Sequence, residues 1–152
     1  MEELLEGACF AGEPMLWEEV QAVGEQYAAI CNACGTRFTV NDGGGFCFHL
    51  LHCDACGAER SISLDEIGEP HLRYLKGLKI PYSMASAEHD RRVRETYPGT
   101  PMTEEEYHVA VEELCGQCGC GGHFRFKASA RCPKCRSADH RADPSGPHLM
   151  YD

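Results

Sequence analysis

The sequence predicts a small metal-stabilised α+β protein in which two four-cysteine sites, each on short antiparallel strands, are separated by a helical insert. Three observations carry that expectation. Eight of the eleven cysteines fall into four Cys-x-x-Cys pairs, period-2 apolar alternation accompanies the pairs, and residues 61–112 carry helix signals instead.

In chain order, residues 1–26 form an acidic segment; the first thirty residues hold seven acids and no Lys or Arg. Pro14 suits a first helical position, so a short helix is expected near Pro14 to Val20, with Trp17 and Val20 facing the core. Tyr27-Ala28-Ala29-Ile30 reads as a strand leading into the first pair, Cys31 and Cys34. Between Thr36 and Leu50, alternating apolar residues on both sides of Asn41-Asp42-Gly43-Gly44-Gly45 predict a hairpin, followed by Cys53 and Cys56. Residues 27–60 thus form the first metal module.

In the insert, Ser63 with Glu66 and Thr103 with Glu106 have capping-box spacing. Leu72, Leu75 and Leu78 share a helical face after Pro70, a charged helix spans Glu88 to Glu95, and Tyr107, Ala110, Val111 and Leu114 follow the second cap. Residues 113–141 form the second module, with Cys115 and Cys118, an alternating Phe124-Arg125-Phe126-Lys127 strand, and Cys132 and Cys135. Pro144, Ser145, Gly146 and Pro147 predict a coil tail over 142–152.

Two intervening residues let a tight turn aim both sulfurs at one point, and two such turns complete a tetrahedron around a metal. The expected ligands are therefore Cys31, Cys34, Cys53, Cys56, Cys115, Cys118, Cys132 and Cys135, holding two Zn2+, with iron as the alternative metal. Four pairs combine into two sites in three ways. Sequential pairing is expected, because interleaving would also close an insert of over fifty residues. Cys9 and Cys47 read as small hydrophobes, and Cys120, His49, His52, His123 and His140 as bystanders, with Cys120 for Cys118 the best substitute ligand.

Glycine follows the second cysteine at Gly35, Gly57 and Gly119, where a positive φ turns backbone N–H groups toward a thiolate; Cys132-Pro133-Lys134-Cys135-Arg136 departs from that pattern. On these Cys-x-x-Cys-Gly turns the chain resembles the zinc-ribbon family over residues 27–60 and 113–137. The resemblance implies structural zinc on paired knuckles. The same turns are similar to those of rubredoxins, which would imply one iron per site and electron transfer.

Charge narrows the function classes. The 152-residue chain has 14 Lys and Arg against 24 Asp and Glu, a net of -10, which disfavours whole-surface attraction to nucleic acid or anionic lipid. Residues 116–141 are the local exception, with six bases against Asp139 alone, so Phe124, Arg125, Phe126, Lys127, Arg131 and Lys134 are the candidate single-strand or RNA contacts. No apolar run approaches the ~18 residues of a membrane span, and an acid-rich start is unlike a signal peptide, so a cytoplasmic, reducing location is expected. Closed four-thiolate sites do not activate water, and no catalytic constellation is visible. The expected function is a non-catalytic zinc protein acting as an accessory in a larger protein assembly.

Overall fold

Strand pairing starts at the first cysteine knuckle and is organised around it. The computed structural model describes residues 24–83 and 86–151, so the helix expected near Pro14 to Val20 and the role of Cys9 lie outside the described residues. In order come β1 (Gly24–Cys31), β2 (Arg37–Asp42), β3 (Phe48–Cys53), β4 (Glu59–Ser63), α1 (Leu64–Ile67), α2 (Glu69–Gly77), α3 (Ala87–Thr96), α4 (Glu104–Cys115), β5 (Phe124–Arg125), β6 (His140–Ala142) and β7 (His148–Tyr151).

Two antiparallel sheets result. β1 is central in the first: β2 pairs along one edge, while β6 pairs with Ala29–Cys31 and β7 with Gly24–Tyr27 along the other. β3 is central in the second, between β4 and β5. The sheets meet where Phe48 stacks on Tyr151 at 6.1 Å and Asn41 Nδ2 donates to the Glu59 carboxylate at 3.0 Å.

Two sequence expectations are corrected here. The segment Thr36 to Leu50 is not a hairpin: β2 pairs with β1 through the knuckle turn, and β3 pairs with β4, so the glycine run is a crossover between sheets. Its glycine content serves close approach, since a Cβ on Gly44 would lie 2.3 Å from the Phe48 carbonyl oxygen. The tail is not coil either. Pro144 to Pro147 do form a turn, but one that joins β6 to β7, and β7 covers the β1 edge that would otherwise stay unpaired.

The insert folds much as its caps dictate. Ser63 Oγ and Thr103 Oγ1 accept from the N–H groups of Glu66 and Glu106, and both glutamates reach back to complete capping boxes at α1 and α4. α4 lays Tyr107, Val111 and Cys115, spaced by four, against Leu51 and Ile62 of the second sheet and Leu64 and Ile67 of α1. α2 and α3 enclose a smaller cluster of Leu72, Leu75, Val93 and Tyr97. No helix among the described residues is long and apolar enough to cross a membrane.

Candidate metal centres

Each knuckle is a backbone device before it is a ligand set. In three of them the first cysteine's carbonyl accepts from the N–H four residues on, and its N–H donates five residues on: Gly35 and Thr36 for Cys31, Gly57 and Ala58 for Cys53, Arg136 and Ser137 for Cys132, all at 2.8 to 3.0 Å. The residue four on has positive φ each time, 75° at Gly35, 77° at Gly57 and 63° at Arg136. Arg136 adopts the left-handed conformation that glycine takes in its counterparts.

The fourth knuckle is one residue shorter. Cys118 N–H donates to Gly122 at 2.8 Å and its carbonyl accepts from Gly121 at 2.9 Å, which aims Cys118 and Cys120 together. A Cβ on Gly122 would lie 2.5 Å from Cys53 Sγ, so only glycine leaves room for the opposing sulfur.

Two four-sulfur clusters follow: Cys31, Cys34, Cys132 and Cys135, and Cys53, Cys56, Cys118 and Cys120, with all sulfurs of a cluster within 4.8 Å of one another. Across the first, Cys31 to Cys135 is 3.5 Å and Cys34 to Cys132 is 3.6 Å; across the second, Cys53 to Cys120 is 3.5 Å and Cys56 to Cys118 is 3.7 Å. A tetrahedron with metal–sulfur bonds of ~2.3 Å has edges of about 3.8 Å. The clusters fit a four-thiolate metal ion.

The pairing is therefore nested, not sequential, and this corrects the expectation. Each site takes one knuckle from each half of the chain. Loop closure misled because the insert is not a loose loop: α4 packs on the second sheet and delivers Cys118 and Cys120 to Cys53. The ligand set also shifts by one residue. Cys115 is the last residue of α4, 8% exposed in the core, and belongs to neither cluster; Cys120 stands in its place. The signal was in the sequence, since Cys115 continues the i, i+4 stripe of Tyr107 and Val111, and Gly-Gly follows Cys120.

The two sites share one plan. In each, a strand, a knuckle and a second strand form a hairpin, and the strand after the distant knuckle pairs with the first strand, giving the orders β2-β1-β6 and β4-β3-β5. Asn32 N–H donates to Asp139 and Asp54 N–H to His123, each at 2.9 Å, at equivalent positions.

Electrostatics call for a cation. The Thr36 hydroxyl and N–H pull the Cys34 thiol down to about 6. Burial pushes Cys53 up, but the Cys56 and Ala55 N–H groups, 3.5 and 3.4 Å from its sulfur, outweigh it and bring the thiol down to about 6. The Ser137 N–H favours a Cys135 thiolate, yet the sulfurs of Cys31, Cys34 and Cys132 override it and drive the thiol up to about 12. Four sulfurs this close cannot all ionise until a metal shares their charge.

Four of the six single-strand candidates are used elsewhere. Phe124 is buried in the main core, Phe126 stacks on His108 at 4.2 Å, and Arg125 pairs with Glu112 at 3.3 Å and Asp54 at 3.8 Å. Arg131 donates to the Arg136 and Asp54 carbonyls, bridging the two sites. Lys127 and Lys134 lie outside both clusters. His49 belongs to a buried group missed from the sequence: Tyr107 Oη lies 2.8 Å from His49 Nε2 and 3.0 Å from His71 Nδ1.

A family model described as a domain of unknown function, DUF8255, matches residues 27–141. The chain belongs to this family. The DUF8255 segment runs from β1 through β6 and contains both sulfur clusters and everything between them, as nested sites require. Comparison with curated proteins and with solved structures gives no match.

Proposed function

We propose that this DUF8255 protein is a non-catalytic zinc protein whose two four-thiolate sites staple a nested pair of ribbon-like modules, and that the stapled body is an accessory component of a larger protein assembly. The observation that carries the reading is closure. All four corners of each cluster are cysteine sulfurs, so a tetrahedral ion there has no position for water or substrate, the arrangement of structural rather than catalytic zinc. Metal binding contributes on the order of 10 kcal/mol in such sites, enough to stabilise sheets of three or four short strands.

The charge distribution supports a partner. Residues 116–141 carry a net of +5 within a chain of -10, leaving -15 elsewhere, and opposed charge of that size steers association. With Phe124 and Phe126 committed to internal contacts, those bases lack the aromatic platform that single strands stack on.

Untagged protein purified from its native source, with zinc and iron counted per chain and copurifying proteins identified, tests both parts. Two zincs and a stoichiometric protein partner are expected. Stoichiometric iron with a visible, reducible absorption band would replace the reading with electron transfer, and a strictly solitary protein would remove the assembly role.

A further inference from the structure

The edge of β1 that β6 and β7 share changes hands at Ala28. Its N–H donates to the Pro147 carbonyl at 3.2 Å and its carbonyl accepts from the Asp143 N–H at 2.8 Å, so residues 143–147 stand off the sheet as a turn. The Asp143 carboxylate fixes that turn by accepting from Ser145 N–H at 3.0 Å and Ser145 Oγ at 2.7 Å. Beside it opens a cleft of about 380 Å³, whose walls include Glu25, Tyr27, His140, Asp143 and His148. None of these is a ligand in either sulfur cluster, and the volume suits a small ligand or a single side chain.

Its chemistry is aromatic and acidic. Tyr27 and His148 meet edge to face at 6.1 Å, Tyr27 Oη lies 3.5 Å from His140 Nε2, and His140 packs edgewise on Phe38 at 5.5 Å, so the rings are held in place by one another. His140 Nδ1 is buried without a hydrogen-bond partner. Glu25 Oε2 lies 3.0 Å from His148 Nε2, and Asp42 stands opposite Glu25 in the β1–β2 register. The cations nearby are engaged: Arg37 is 3.8 Å from Asp143, and Arg141 donates to Asn32. Burial first, and then the negative charges of Asp42 and Glu25, push the Tyr27 phenol up.

An anion would meet the Glu25 and Asp143 carboxylates here, and a neutral apolar group would gain nothing from their charge. A cation with an apolar skirt satisfies both ring and carboxylate. We propose that this cleft binds an alkylated ammonium group, free as a small amine or carried on a lysine side chain of a partner protein.

The test uses the metal-loaded full chain, with Tyr and His ring resonances followed by NMR. Choline serves as the free-amine probe, the Nα-acetyl amide of trimethyl-lysine as the side-chain probe, and the latter's uncharged tert-butyl isostere as control. Saturable shifts at Tyr27, His140 and His148 are expected, with the isostere roughly tenfold weaker. Glu25→Gln and Tyr27→Leu should each weaken binding by about tenfold with the metal count unchanged. Equal affinity for choline and trimethyl-lysine identifies a reader of the ammonium alone; tighter binding of trimethyl-lysine identifies a partner's side chain. The proposal is overturned if neither ammonium probe gives a saturable shift, or if the neutral isostere binds as well as its charged counterpart. Should Tyr27→Leu lose metal, Glu25→Gln decides the matter, because the Glu25 side chain is 44% exposed and its replacement disturbs no packing.

Discussion

Cys115 and Cys120 show how one residue decides a ligand set. Cys115 has metal-ligand spacing to Cys118, yet it ends α4 with its side chain in the core, while Cys120 places its sulfur 3.5 Å from Cys53. Elemental analysis separates their roles. Cys120→Ser should lower the count from two metals to about one, whereas Cys115→Ala should keep both and cost about 1 kcal/mol from lost packing. The same scale holds the His49–Tyr107–His71 group. Burial, then the charge of a neighbouring histidine, lowers His49 to about 4 and His71 to about 3. Unfolded histidine titrates near 6.5, so below that pH the unfolded chain binds more protons than the native one. The stabilisation is whole above about 6.5 and is lost as pH falls from there toward the folded values. Urea midpoints should decline between pH 7 and 5, and His71→Asn, which keeps a hydrogen-bonding group near the Nδ1 position, should flatten that decline. An unchanged slope in the variant would sever the effect from His71.

At the scale of elements, the knuckle turn matters more than the strands it joins. Its residue of positive φ is Gly35, Gly57 or Arg136, and a non-glycine side chain there costs roughly 1–2 kcal/mol, partly offset by its lower unfolded-state entropy. Arg136→Gly should therefore raise stability slightly, by under about 1 kcal/mol in denaturant unfolding of the metal-loaded protein. Gly57→Ala should lower it by more, because its Cβ would also lie 2.5 Å from Arg131 Cβ. Elements were legible where their signals are local. Both capping boxes, the leucine face of α2, the charged α3 and three of the four cysteine turns could be read from adjacent residues, whereas the fourth was misplaced onto Cys115. Partnership was not. Nothing local in Arg37 to Asp42 distinguishes β1 from β3 as its neighbour, and Pro144 to Pro147 mark a turn whether or not a strand follows. The two metal sites were legible as a count of thiols, and their pairing was hidden because it depends on which surfaces the insert buries.

At the scale of the whole molecule, nesting makes the two sites unequal. The inner one, Cys53, Cys56, Cys118 and Cys120, together with the main core, lies within the chain that the outer one closes. While the inner module is folded, the knuckles of Cys34 and Cys132, 98 residues apart, are delivered to one another by a rigid body. If it unfolds, they must find each other across a flexible loop of that length, at an entropic cost of about 4 kcal/mol. The reverse dependence is weak. Loss of the outer site frees β6, β7 and the last knuckle but leaves Leu51, Ile62, Tyr107 and Val111 packed around the inner sulfurs. Cys53→Ser should accordingly weaken metal binding at the outer site roughly a thousandfold, the equivalent of that closure cost. Cys132→Ser should shift the inner site by less than about tenfold. Competition with a chelator of known affinity measures both constants, and equal losses in the two variants would mean that the sites fold as one cooperative unit with no inner body able to stand without the outer.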